Sequence, residues 1–139
     1  MIILDTNVVS EPMRQVSNPA VTAWLDRQVA ETLFFTAISL SELLVGIRIL
    51  PEGKRKDGLE ARLKLLLERL FGSRILPFDQ LAAEAYADIL SGARANGHAL
   101  SVAEAQIAAI ASVHGFTVAT RDPVPLEAAG IAVINPRVA

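Results

Sequence analysis

Met1-Ile2-Ile3-Leu4-Asp5-Thr6-Asn7-Val8-Val9 opens the chain. An apolar run meets a carboxylate, followed by two small polar residues. Ile2, Ile3 and Leu4 read as a buried strand, because a short continuous apolar run suits a strand covered on both faces. We place the first strand at residues 2–5. An acid at the end of such a strand is costly unless it is paired or put to use. Asp5 is therefore the first candidate functional residue, and its partners must come from later in the chain.

The 139 residues suit a single domain, 1–139, with one core. A hydrophobic content of 52% with 20% charged residues excludes a disordered chain. Aromatics make up only 5%, so Leu, Ile, Val and Ala must fill the core. The net charge of −2 gives no global basic field for a polyanion. Contact with a nucleic acid must then come from a local basic cluster or from bound cations. The absence of cysteine rules out disulfide and thiolate chemistry and fits the cytoplasm. No signal peptide and no apolar window long enough to span a membrane is evident, so no membrane partner is expected.

Strands and helices alternate after Asp5. Asn18-Pro19 opens a helix whose apolar face is Val21, Trp24, Leu25 and Val29. Leu33-Phe34-Phe35-Thr36 is the second strand, and a helix from Ser39 to Leu50 follows, ended by Pro51 and Gly53. Lys54-Arg55-Lys56 reads as a basic loop, more often solvated than bound to phosphate. Leu59, Leu63, Leu66, Leu67 and Leu70 mark an amphipathic helix over 58–71, closed by Gly72. Ile75-Leu76 is a third strand, and Asp79 caps a helix that stops at Asn96-Gly97. An Ala-rich helix runs from Ser101 to His114, where small residues allow close packing on a sheet. Residues 117–120 form the fourth strand, 126–129 a helical turn, and 131–134 the fifth strand. This pattern predicts a three-layer α/β/α fold with a parallel sheet of about five short strands. In such sheets ligands bind outside the carboxyl ends of the strands, where Asp5 and Asp122 fall.

Three more acids are candidates, each with a structural alternative. Ser39-Leu40-Ser41-Glu42 and Ser101-Val102-Ala103-Glu104 both have the form of a capping box, in which the Glu reaches back to the cap amide. Asp122-Pro123 fits an N-cap followed by Pro at the first helical position, and Asp5 could cap a turn starting at Thr6. Taken singly, Glu42, Glu104 and Asp122 favour the structural reading. Together they fall at strand ends and helix starts, which share one edge of a parallel sheet. Four carboxylates facing one cleft call for a hard divalent cation, Mg²⁺ or Mn²⁺, with oxygen ligands. His98 and His114 lack zinc spacing, and the serines lack a nucleophile motif. Gly46, inside a helix, suggests a close backbone approach.

The ordered set of motifs resembles the PIN domain, specifically toxins of the VapC or FitB-like type. It comprises Leu4-Asp5-Thr6-Asn7-Val8, Asn18-Pro19 with Ala23-Trp24-Leu25, Ser39-Leu40-Ser41-Glu42-Leu43 with Gly46, and Leu76-Pro77-Phe78-Asp79. It continues through Ala105-Gln106-Ile107-Ala108-Ala109-Ile110-Ala111, Ala119-Thr120-Arg121-Asp122 and Ile134-Asn135-Pro136. The resemblance implies a Mg²⁺- or Mn²⁺-dependent ribonuclease, restrained by a small cognate antitoxin that itself binds operator DNA, and it implies a homodimer. Asp5, Glu42 and Glu104 correspond to the family's first three acids, with Asp122 in its Thr-Arg-Asp/Asn segment. The third acid is usually Asp, and the family often carries a further acid where Pro125 stands here, so Asp122 must serve, with Glu127 as a possible helper.

The expected chemistry is hydrolysis of an RNA phosphodiester, with Asp5, Glu42, Glu104 and Asp122 as catalytic metal ligands. Thr6, Asn7 and Thr120 would orient them, and Arg121 would meet a phosphate. The alternatives are a PIN-like scaffold that binds antitoxin or RNA without cutting, and a metal-dependent phosphatase of the D-x-D type. In the latter the second acid would stand where Asn7 is. A Leu-rich groove between helices 39–50 and 58–71 is the coarse expectation for the antitoxin.

Overall fold

Strand β1 (Ile2–Leu4) is the middle strand of a five-stranded parallel sheet in the computed structural model, which describes residues 1–139. β2 (Leu33–Thr36) and β4 (Thr117–Ala119) flank it, and β3 (Ile75–Leu76) and β5 (Val133–Ile134) form the edges. The order is β3-β2-β1-β4-β5, with Ile3 opposite both Phe34 and Val118. The chain runs outward from β1 through β2 to β3 and then crosses back to β4. The order therefore reverses between β1 and β4, and a crevice forms at their carboxyl ends.

Alternation along the strands divides the interior into two cores. Leu4, Leu33, Phe35 and Ala119 point to one face, where α1 (Thr6–Val9), α2 (Pro19–Asp26) and α4 (Lys54–Leu70) supply Val8, Val9, Trp24, Leu25, Leu66 and Leu70. Phe35 and Phe71 stack there with ring centroids 5.0 Å apart. Ile3 and Val118 point to the other face, against α6 (Val102–His114), with Ala82 of α5 (Gln80–Ala95) and Leu126 of α7 (Val124–Ala128). Ala105, Ala108, Ala109 and Ala111 of α6 are buried, so this helix lies close to the sheet as its small residues predict. Helices cover both sheet faces, giving the expected three-layer α/β/α architecture. No helix is long and apolar enough to cross a membrane.

Several element boundaries differ from the sequence expectation, each for a local reason. α3 (Ala37–Arg48) begins before Ser39, because buried Thr36 caps it by accepting the Ser39 amide at 3.0 Å. Ser39 thus lies inside the helix, and its buried hydroxyl has no partner. α4 starts at Lys54 rather than Gly58, so Lys54-Arg55-Lys56 form a first helical turn and not a loop. Gly53, at φ 148°, makes the turn into it, and Lys56 pairs with Glu52 at 2.7 Å. α2 ends at Asp26, leaving Val29 exposed, and β5 is confined to Val133–Ile134. α7 begins at Val124, with Pro123 rather than Asp122 in the cap position. Gly46 is solvent-exposed, with open space where a Cβ would stand, so no close approach explains it. Arg74 also joins β2 to the end of α4, donating to the carbonyls of Leu33, Ala30 and Leu70.

Candidate active site

Asp5 leaves β1 and caps the single turn of α1. Its amide donates to the Ala119 carbonyl at 2.9 Å, so the backbone stays tied to β4 at the switch point. Both carboxylate oxygens are held: Oδ1 accepts the Thr6 amide at 2.8 Å and Oδ2 the Thr120 hydroxyl at 2.9 Å. Burial pushes the Asp5 carboxyl above its usual range. The Thr120 and Thr6 hydrogen bonds oppose that shift, while the negative charges of Glu42 and Glu104 add to it. The capping role foreseen for Asp5 is real, but it occupies one oxygen only.

The other three acids reach the same place. Asp5, Glu42, Glu104 and Asp122 all line one cleft of about 360 Å³. The residues around it include no lysine or arginine. None of the three closes the structural alternative that its sequence pattern suggested. Glu42 cannot complete a box with Ser39, since Thr36 is the cap; its Oε1 instead accepts the Thr6 hydroxyl at 2.8 Å. Ser101 does cap α6, accepting the Glu104 amide at 3.1 Å, yet no return bond from the Glu104 carboxylate forms. Asp122 makes no side-chain cap, and its amide donates to Thr120 Oγ1 at 3.1 Å.

Thr120 is the hub between the two strands. Buried directly after β4, it donates to Asp5 and accepts the Asp122 amide, with Asn7 Nδ2 at 3.5 Å. Asn7 Oδ1 in turn accepts the Arg121 amide at 3.2 Å. Thr6 and Thr120 each donate to one of the acids, Glu42 and Asp5, whereas Asn7 hydrogen-bonds to none of the four and braces Thr120 and Arg121 instead.

Arg121 does not face the cleft. Its guanidinium grips Glu11, with Nη1 to Oε2 at 2.6 Å, so the expected phosphate contact is not where its side chain goes. Glu11 is fully buried, in a short 3-10 turn (Glu11–Met13), and no sequence motif marks it. It also accepts the Asn18 amide and lies 3.4 Å from Arg14. Burial would raise its pKa, but the Asn18 amide and the charges of Arg121 and Arg14 outweigh that and hold it below the usual range. This clamp ties the chain after β1 to the chain after β4, and so fixes the two banks of the cleft. A nearby signal was the i,i+3 spacing of Glu11 and Arg14; the Arg121 partner lies too far along the sequence to be read.

The donor set is all oxygen, which suits a hard divalent cation. As they stand, no three of these side chains are drawn together tightly enough to enclose an ion. Like charges facing one cleft repel one another, and a cation or protons would relieve that repulsion. Glu127 is exposed and does not line the cleft, so it gives no substitute for the acid absent at Pro125.

Known proteins share this frame. The PIN domain family model matches residues 2–131. The chain is 51% identical over 136 residues to the plasmid stability protein StbB of Pseudomonas syringae pv. tomato, covering 98% of each. It is 45% identical over 136 residues to the VapC ribonuclease Y4jK of Sinorhizobium fredii, covering 98% of this chain and 97% of that one. A crystal structure of FitAcB from Neisseria gonorrhoeae is similar at a TM-score of 0.92 and 46% identity, covering 98% of both chains.

Proposed function

The chain belongs to the PIN-domain family, and on that premise we propose that it is the toxin of a toxin–antitoxin pair that hydrolyses RNA at a divalent-metal site. The observation that carries the chemistry is the convergence of Asp5, Glu42, Glu104 and Asp122 on one cleft free of lysine and arginine. The toxin role and RNA as substrate rest on similarity to Y4jK and to the FitAcB structure. A cognate antitoxin, operator DNA reached only through it, and a homodimer belong to the same reading.

Asp5 is the central ligand of the proposed site, because both its oxygens are pre-aimed by Thr6 and Thr120. Glu42, Glu104 and Asp122 complete the oxygen set, directly or through water. Bound there, Mg²⁺ or Mn²⁺ would supply an activated water and positive charge against the phosphate oxygens. Thr6 holds Glu42 in place, and Thr120 holds Asp5 and the backbone of Asp122. Asn7 is spent on this scaffold, which argues against the phosphatase alternative.

The test is purified chain, free of antitoxin, against a panel of structured RNAs with Mg²⁺, Mn²⁺ or chelator, beside Asp5→Asn. The expected result is cleavage that needs the divalent ion and is abolished in Asp5→Asn. Cleavage in chelator, or at the wild-type rate in Asp5→Asn, overturns the assignment. Metal binding without cleavage of any RNA favours a binding module instead.

A further inference from the structure

A second groove, of about 950 Å³, lies beside the acidic cleft, and Ser10 borders both. Its walls are the segment after α1 and the first turns of α4. Four cations line it, Arg14, Lys54, Arg55 and Arg62, and no carboxylate does. This is a concentrated positive lining on a chain whose net charge is −2.

The cations are available. Lys54 and Arg55 are exposed and make no ion pair. Arg62 donates only to the Met13 carbonyl, at 3.4 Å. Glu52 is taken up by Lys56, and Glu11 sits closer to Arg121 (2.6 Å) than to Arg14 (3.4 Å). The start of α4 has no side-chain cap, so its free amide ends add to the positive field, which Asp57 in the same turn offsets in part.

We propose that this groove binds the phosphate backbone of the RNA substrate next to the cleaved bond, with Lys54, Arg55 and Arg62 as the contact residues and Arg14 as a weaker fourth. This rests on the ribonuclease reading of the acidic cleft. An acidic cleft repels a polyanion, and metal ions neutralise it only locally. A strand crossing Ser10 into the basic groove gains attraction over the next phosphates and is held in register without reading bases. Such a contact supplies affinity and salt dependence rather than sequence choice.

The experiment is fluorescence anisotropy with a labelled oligouridine of about fifteen nucleotides, long enough to span several phosphates. The parent is full-length Asp5→Asn in EDTA, which keeps the RNA intact. It is compared with the same chain carrying Lys54→Gln, Arg55→Gln and Arg62→Gln, from about 50 to 300 mM KCl. Single strands contribute about 0.7 to the log–log salt slope per neutralised phosphate, so the slope should flatten by about 2. Affinity at low salt should fall by at least ~10-fold. The Lys54→Gln/Arg55→Gln double variant changes only exposed side chains and should retain the parent's circular-dichroism melt while losing part of the slope. Unchanged slope and affinity in the triple variant overturn the proposal. So does intact RNA binding with weakened binding of oligoglutamate, which would assign the groove to an acidic protein segment. A wild-type chain that cuts no RNA with Mg²⁺ or Mn²⁺ contradicts the ribonuclease reading, while the anisotropy data still decide the groove.

Discussion

Thr120 and Glu11 show how much of the candidate site depends on residues that would touch neither metal nor RNA. Thr120→Val keeps the shape but removes the donor to Asp5 Oδ2 and the acceptor for the Asp122 amide. Loss of such an orienting contact costs ~10- to 100-fold in metal affinity, measurable as Mn²⁺ binding by calorimetry. Unchanged Mn²⁺ affinity would remove Thr120 from the account. Glu11→Gln weakens a buried ion pair. Breaking such a pair by deleting a partner costs about 3–5 kcal/mol, and the neutral isostere should cost less. The sign of its pH dependence is defined. The Glu11 pKa is lowered by folding, so its contribution is present above the unfolded-state value of 4.5 and is lost as pH falls through the folded value. Urea unfolding from pH 7 downward should therefore show wild type and Glu11→Gln converging in the acid range. A constant difference at all pH values would contradict this.

Asp5 could be read from sequence because an acid after three apolar residues is conspicuous in itself. Glu11 could not, because nothing local distinguishes it from any surface glutamate; only the tertiary approach of Arg121 makes it buried and ionised. Arg121 is hidden for the same reason: its charge suggests a phosphate, while its partner Glu11 lies far off in the sequence.

At the scale of elements, the start of α3 separates a local pattern from the outcome. Ser39-Leu40-Ser41-Glu42 has the form of a capping box, but Thr36 ends β2 in extended geometry and captures the Ser39 amide first. Two hydroxyl residues three apart compete for one role, and the strand end decides which wins. Thr36→Ala should cost about 0.5–2 kcal/mol, the usual range for a lost cap. Ser39→Ala removes a buried hydroxyl that has no partner and should be neutral or stabilising. Equal destabilisation by the two, in thermal or urea unfolding, would restore the capping box. Because Glu42 does no capping, its carboxylate turns toward Thr6 and lines the cleft. The start of α4 is not legible in sequence because apolar periodicity begins only at Leu59; Lys54-Arg55-Lys56-Asp57-Gly58 before it carry no apolar pattern.

At the scale of the molecule, alternating strands and helices made the parallel α/β/α fold legible, but not the strand order. Periodicity says which residues are buried, not which strands are neighbours. The order β3-β2-β1-β4-β5 sets β1 beside β4, and this brings Asp5, Thr120 and Asp122 together from opposite ends of the sequence. Helix starts on the same edge add Glu42 and Glu104 to the cleft. The basic groove is likewise a tertiary product, since Arg14 and the α4 cations are far apart in the chain. We propose that these four acids form one cation site anchored on Asp5. Its most direct test is a calorimetric Mn²⁺ titration of the wild type and of Asp5→Asn at neutral pH. A cation site anchored on Asp5 should give saturable Mn²⁺ binding by the wild type, weakened by at least ~10-fold in Asp5→Asn. Equal binding by the two chains, or none by the wild type, would contradict it.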